Sequence, residues 1–488
     1  MIPSTLSNWT PAAFRSLAAI GGTSPESADT VSLSHATRVS LSPAPAPRAI
    51  PASQAPGRGT TRVFPDSLGK ITHLALQLDS DVTGAIRRNV FAAWSKLFKA
   101  MDPDVEFTIV LENDRDRGEV SKLLDSLQVE NQARIHLIVA PDLDITMWSR
   151  DQMIGLKAGQ GTSLLGQTTM RPHGDDELLP PRIAQRTPGV TLDPDKRLVT
   201  DGGDEVSNGR ETFLGYNSLY LTAEKLYREE LQPAGPFSPF ERTLTTSTPP
   251  GGERYCMPDF RYEPNPYKTA DPGIPDEAYW LDRARTLFEE KYGRPVTVVG
   301  ADDPQTPEPE APATFHIDMG LTPIGDDVVL VGDPRLAIDT LNRLSPEEYA
   351  RHNELLNRSL ETRGEDHLGS LIRENSVNNP LLQHQFDYNA EAVEHKGYRV
   401  LRLPYLQGPP DVSWITYNNC LQENYTRPDG SQVRRVFLPT YGLPALDDQA
   451  AEVYRSLGFE VIPLELPALT AWRGAIRCVS NILGRQPS

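Results

Sequence analysis

Four times along the chain a helical stretch, or its end, runs into a short β-rich run: "NQARIHLIVAP", "KYGRPVTVVGA", "HKGYRVLRLPY" and "SLGFEVIPLEL". Between them lie hairpin-like segments with turn residues: "VSNGRETFLGYN", "PIGDDVVLVGDP" and "ENYTRPDGSQVRRVFLPTYG". A unit of hairpin, helix and strand therefore recurs at irregular intervals. Each such unit is too small to bury its own apolar face, so repeats of it predict a closed, roughly circular α/β array whose loops meet at one centre. An ordinary open α/β sheet has the same local periodicity and stays open as the alternative. Upstream, "ITHLALQLD" and "FTIVLEN" read as strands, and "GAIRRNVFAAWSKLFKAM" and "GEVSKLLDSLQ" as helices.

Three stretches break this rhythm. Residues 1–65 are rich in Ser, Ala, Pro and Gly and poor in large apolar residues. They cannot bury enough surface to offset chain entropy, which predicts a disordered leader. The first 25 residues carry no acid, and Ser and Thr are frequent. That composition resembles the unfolded leaders of bacterial needle-type secretion substrates and, more loosely, organelle transit peptides; a plain flexible tail has it too. Residues 232–275 are dense in proline, glycine and scattered aromatics, which predicts a long surface insertion, a lid or a recognition loop. "ADDPQTPEPEAPA" reads as an acidic, solvated linker.

The 488 residues suffice for one large domain or two to three ordinary ones. A net charge of −18 argues against nucleic acid or an anionic membrane as the main partner and suits a cationic ligand. Cys256, Cys420 and Cys478 are widely spaced. An odd count without a CxxC pair gives neither a disulfide framework nor a zinc site, so a reducing compartment and free thiols are expected. No apolar run approaches a membrane helix, and no basic-then-apolar signal peptide opens the chain.

Four motifs could carry chemistry. "PDLDITMWSRDQMIG" puts Trp148, Arg150 and Asp151 just past the strand "IHLIVAP". Trp148 could stack on a planar cation that Asp151 pairs with, though a surface Arg–Asp pair beside a core Trp would look the same. "VTDGGDEVSNG" sets Asp201, Asp204 and Glu205 around Gly202 and Gly203; a hairpin turn with solvated acids is the plainer reading. In "TFHIDMG", read as a strand, His316 and Asp318 share a face. They form a base and a carboxylate, or a structural pair; no third metal ligand is near. "RGAIRCVSN" supplies Cys478, a thiol that a neighbouring base or a bound cation could ionise, or simply a small buried apolar residue. Together, one Cys, one His and several acids suit an electrophilic planar cation, and a guanidinium is both. The Gly- and Trp-flanked cysteine of papain-like proteases is not seen.

In that order, Trp148–Asp151, Asp201–Glu205, His316–Asp318 and Cys478 resemble the guanidino-group-modifying superfamily, the penteins. The resemblance spans about residues 70–485. "MWSRDQM", "GDEVSNG", "HID" and "GAIRCVSNILGRQPS" are most similar to the protein-arginine deiminase catalytic domain, with agmatine deiminase second. The residue before the cysteine departs from the agmatine deiminase pattern, being Arg477 rather than His. The resemblance implies a five-bladed α/β propeller over residues 66–488. It implies catalytic Cys478, His316, Asp318 and Asp151, with Trp148, Arg150, Asp201, Asp204 and Glu205 around the substrate. It implies hydrolysis of a guanidinium through a covalent thiouronium, with protein arginine expected first. Agmatine or free arginine as substrate, amidino transfer, and non-catalytic arginine binding are the alternatives. Neither organic cofactor nor metal is implied for the chemistry, and calcium dependence does not carry over. Combined with the leader, the resemblance implies a cytoplasmic protein or an effector delivered into a host cell.

Overall fold

In the computed structural model the described residues are 61–128, 134–166, 169–170, 173–232, 238–247, 259–268, 273–301, 314–409 and 412–486. The expectations for residues 1–60, for the acidic linker and for Cys256 lie outside them. Among the described residues there are five mixed sheets of three or four strands and one two-stranded hairpin. Four sheets share one construction. An antiparallel hairpin is followed by one or more helices, and the next strand of the same sheet returns parallel to the second hairpin strand. The hairpin Leu421–Thr426 and Gln432–Thr440, the helix Pro444–Ser456 and the strand Glu460–Glu465 are one instance. Each of the four β-rich runs singled out in the sequence contains such a return strand or its equivalent: Ile135–Val139, Val296–Val299, Arg399–Leu406 and Glu460–Glu465.

The fifth sheet is built from both ends of the described chain. Its strand Lys70–Leu78 pairs antiparallel with Ser480–Gln486 and parallel with Glu106–Leu111. The turn that ends in Cys478 is thereby anchored to the first long strand of the fold. Apolar clusters lie between neighbouring sheets, for example Ile154, Leu165, Leu214 and Val296, or Leu330, Leu403, Val436 and Leu438. One further cluster draws on all parts of the chain, including Leu74, Trp148, Phe213, Ile317, Trp414, Phe437 and Cys478. A leucine buried in such a cluster contributes roughly 1.5–3 kcal/mol relative to an exposed one.

Two boundaries differ from the sequence reading. Ordered structure begins before residue 66: Arg62 and Val63 pair with Lys157 and Leu156, and Phe64 is buried. The stretch 232–275 is not all loop. It contains the hairpin Arg242–Ser247 and Asp259–Pro264, seated on the helix Tyr216–Leu231. Tyr220 Oη donates to the Arg242 carbonyl at 2.5 Å, and Tyr262 Oη donates to Asn217 Oδ1. Proline and glycine density along this segment hid the β-branched run "RTLTTS" inside it. No helix among the described residues is long and apolar enough to cross a membrane.

Candidate active site

The loops that leave the strands bring four distant segments together. Trp148–Asp151 lie in the turn before the strand Met153–Ala158. Asn481 Nδ2 clamps that turn by donating to the carbonyls of Ser149 and Met153 at 3.0 and 2.8 Å. The Arg150 amide donates to the Cys478 carbonyl at 3.0 Å. Trp148 packs tightly against the segment before the cysteine: a Cβ at Gly474 would be 2.2 Å from Trp148 Cζ3. Gly474 is therefore a packing requirement of the tryptophan.

His316 and Asp318 were expected on one face of a strand. His316 does have extended backbone, but Ile317–Met319 form a single 3-10 turn. The turn still gives both side chains buried polar partners. His316 Nε2 bonds Asp201 Oδ2 at 3.1 Å, and the other Asp201 oxygen accepts from the Met170 amide at 2.9 Å. His316 Nδ1 has no hydrogen-bond partner of good geometry among the described residues; the ring interacts with the Cys478 thiol. Gly203 lies against it, since a Cβ there would be 2.3 Å from Nδ1. The paired glycines thus have separate jobs: at Gly202 a Cβ would strike the Arg150 carbonyl at 2.1 Å.

Cys478 is held by a residue the sequence did not mark. Asn419 Nδ2 donates to Cys478 Sγ at 3.2 Å. Its Oδ1 accepts from the amides of Arg477 and Cys478 at 3.0 and 3.3 Å. Asn419 stands 59 residues away in sequence and no local pattern announces it. Arg477, seen in the sequence as a departure from histidine, is a buried hub. Its Nη1 donates to Asp318 Oδ2 at 2.8 Å and to the Gly202 carbonyl at 3.2 Å. Its Nη2 donates to the Glu205 carbonyl at 2.7 Å and to Asp66 at 3.2 Å. Asp66 is a second residue the motif reading lacked.

Three residues expected around the substrate have other partners. Arg150 Nη2 pairs with Glu205 Oε1, and Arg150 Nε donates to the Gly202 carbonyl at 2.8 Å. The two charges satisfy each other, because a buried ion left unpaired would cost several kcal/mol. Asp204 Oδ2 accepts from the Ser218 amide and hydroxyl at 3.2 and 2.6 Å. What remains open is specific: Asp151 Oδ1 and Asp318 Oδ1 are buried and have no hydrogen-bond partner among the described residues. Asp151 Oδ2 lies 3.8 Å from His173 Nε2. Behind it, Asp176 accepts from the Thr146 amide at 2.9 Å.

The electrostatics follow from burial and charge crowding. Burial pushes Asp151 well above the usual carboxylate range; His316 opposes the rise, and the carboxylates of Asp201, Asp318 and Asp176 add to it. Burial disfavours a charged His316, but its bonds to Asp201 and Cys478 and the charge of Asp151 outweigh it, so the imidazolium persists well above the usual range. Burial also pushes the Cys478 thiol up to about 11, with Asp318 adding and the His316 bond opposing. These shifts favour an imidazolium beside a neutral thiol, in a site crowded with carboxyl groups. A guest cation would offset that charge and favour the thiolate. Among the described residues no three His, Cys, Asp or Glu side chains are grouped to hold a metal ion.

No protein-family model matches the sequence, and no curated protein matches it. Solved structures do. A putative arginine deiminase from Porphyromonas gingivalis is 16% identical, covers 88% of this chain and 98% of its own, and has a TM-score of 0.50. A putative agmatine deiminase is 13% identical over 88% of this chain and 96% of its own, with a TM-score of 0.50. The agmatine deiminase of C. jejuni is 11% identical, with 89% and 100% covered and a TM-score of 0.49. The chain has the α/β fold of these solved structures.

Proposed function

We propose that this protein is a guanidine deiminase that converts a guanidinium to a ureido group and ammonia. The observation that carries the reading is the pair of buried, unpartnered carboxylate oxygens, Asp151 Oδ1 and Asp318 Oδ1, in the charge cluster that also contains Cys478 and His316. A guanidinium has N–H groups on both sides of an electrophilic carbon and suits two separate acceptors. On this reading the five sheets are blades of a propeller over residues 61–488. The pairing of the first long strand with the last supports it.

The steps then follow from the charges. Binding of the cation to Asp151 and Asp318 relieves their crowding and favours the Cys478 thiolate, whose proton is released to solvent as the cation enters. The sulfur attacks the guanidinium carbon. His316, already protonated and held by Asp201, gives its proton to the departing nitrogen. The C–N bond breaks, ammonia leaves, and an S-linked thiouronium remains on Cys478. Neutral His316 takes a proton from water, the hydroxide adds to the same carbon, and the C–S bond breaks to release the ureido product as the hydroxyl proton passes to the departing sulfur and restores the neutral thiol. Asp201 is a positioning residue here, and Trp148 shapes the pocket. Arg150 and Glu205 support Arg477 rather than touch substrate.

The substrate class is a small free guanidine. Cys478 and Asp151 are each 3% exposed, His316 1% and Asp318 0%. An enclosed centre favours a ligand that enters whole over a side chain on a folded protein. The agmatine and arginine deiminase descriptions of the matching structures support the same class. Protein arginine, favoured by motif resemblance, becomes the second reading. The test is ureido-product and ammonia formation from agmatine, free arginine and an arginyl peptide, with Cys478→Ala as control. Turnover of a small guanidine at least ~10-fold faster than the peptide is expected. Turnover of the peptide alone would restore the protein-arginine reading. Exchange of the amidino group without net ammonia would make the protein an amidinotransferase.

A further inference from the structure

A small cavity is lined by Asp204, Asn217, Thr314, Ile317, Phe386 and Asn389, among others, and has room for about one water-sized guest. None of these is among the groups gathered at Cys478, yet the cavity borders them. Thr314 and Ile317 flank His316 in the chain, and Thr314 Oγ1 donates to the His316 carbonyl. Asp204 follows Gly203, the residue pressed against the His316 ring.

Asp204 is a buried carboxylate with one oxygen occupied. Ser218 holds Oδ2 by its amide and hydroxyl. Oδ1 lies over Gly215, where a Cβ would be only 1.8 Å away. No hydrogen bond from a described residue reaches Oδ1, so the carboxylate leans over a glycine to face the cavity. Burial pushes Asp204 up to about 7; His316 and the Ser218 bonds oppose the rise, and Asp201 adds to it. Tyr262 and Tyr292 also feel its charge, and Tyr216 lines the same cavity. Above about pH 7 the carboxylate is ionised; beyond the Ser218 bonds it makes at the amino end of the helix Tyr216–Leu231, the cavity leaves Oδ1 room for a small positive partner. Thr314 Oγ1, having given its hydrogen to a carbonyl, offers that partner only lone pairs.

We propose that this cavity binds one small monovalent cation, of ammonium or potassium size, with Asp204 Oδ1 as counter-charge and Thr314 Oγ1 as a second acceptor. Ammonium is the product of the proposed deimination, and that source of the guest rests on the proposed function; potassium does not depend on it. A single carboxylate suits one charge rather than two.

The experiment needs no turnover, so its failure is separate from failure of the deiminase reading. The thermal midpoint of the full chain is measured at about pH 8 in equal concentrations of ammonium, potassium and tetramethylammonium chloride. Tetramethylammonium is too large for the cavity. A rise of about 1–2 °C in ammonium over tetramethylammonium at 0.1 M is expected. It should shrink at pH 6, where Asp204 is mostly protonated, and vanish in Asp204→Asn. Val299→Leu, which adds a methylene to the cavity wall, should also abolish it if Asp204→Asn fails to fold. The same rise in potassium assigns a general monovalent site, and a rise in ammonium alone assigns a product site. Equal midpoints in all three salts, or an ammonium effect that survives both variants, would overturn the proposal.

Discussion

Cys478 and Cys420 are both buried free thiols, and one residue, Asn419, links their neighbourhoods. Asn419 directly precedes Cys420 in the chain but turns its side chain to Cys478. Burial pushes Cys420 up to about 12, and its polar neighbour is Tyr454 Oη at 3.3 Å. Around it lie Tyr417, Tyr441, Val436 and Leu438, an apolar cluster with hydroxyl rims. Cys478 feels the same burial, but within reach of His316, Asp318 and Asp151. The two thiols differ little in exposure or resting acidity. They differ in what a cation could do: beside Cys478 two carboxylate oxygens wait for one, and beside Cys420 none does. On the proposed function, thiol reactivity is a property of the neighbours rather than of accessibility.

The largest effect follows from that contrast. Cys478→Ala should lower kcat by at least ~10⁴-fold, as removal of a nucleophile does elsewhere. Cys420→Ala should leave kcat within about threefold and instead cost roughly 1–2 kcal/mol of stability through a small cavity. Product formation and urea unfolding on both variants separate the two losses. Comparable activity in the two would break the comparison and return Cys478 to the role of a packed apolar residue.

A subtler break acts on the histidine and leaves both thiols in place. In Gly203→Ala the new Cβ would have to sit 2.3 Å from His316 Nδ1, so the ring must shift or lose its Asp201 bond. A displacement of about 1 Å in a catalytic group costs roughly 10²-fold. A kcat loss of that order, with KM nearly unchanged, is expected from steady-state kinetics. Unchanged kcat would mean that the ring has room and that Gly203 serves the backbone turn alone.

The four return strands were legible because each follows a helix end as a short β-rich run, and that pattern needs no partner to be read. The catalytic candidates were legible as motifs because Trp148, Asp151, His316 and Cys478 sit in short stretches of distinctive composition. Their support was not. Asp66 meets Arg477 across 411 residues and Asn419 meets Cys478 across 59, so those bonds exist only once the sheets are assembled. Arg150 and Glu205 pose the opposite problem. They stand inside the motifs, but their charges are consumed by each other, and a sequence cannot tell an offered charge from a spent one. The His-x-Asp stretch was read as a strand by its alternation, whereas a 3-10 turn satisfies the same two-residue spacing over Ile317–Met319.

The smallest expected effect sharpens the comparison through pH. Each thiol has a buried carboxylate in its surroundings. Near Cys420, Asp447 is pushed up to about 6 by burial against the bonds from Tyr417 and two backbone amides. Behind Asp151, burial likewise pushes Asp176 to about 7 against the bonds from Thr146 and Gln77. A carboxyl whose folded-state value is raised keeps a proton that the unfolded chain releases. Its contribution is full below the unfolded value near 4 and is lost as pH rises through the folded value. Asp176→Asn and Asp447→Asn should therefore both flatten the decline in unfolding free energy between about pH 4 and 7, by up to about 1.4 kcal/mol per pH unit. Only Asp176→Asn should also move activity. The Asp176 carboxylate helps to raise Asp151, so its removal lowers the acid limb of the kcat/KM profile, while Asp447→Asn leaves that limb in place. If both variants shift the limb, or neither does, the charge field around Cys478 is not the local one drawn here. The two thiols would then stand closer in chemistry than their neighbours imply.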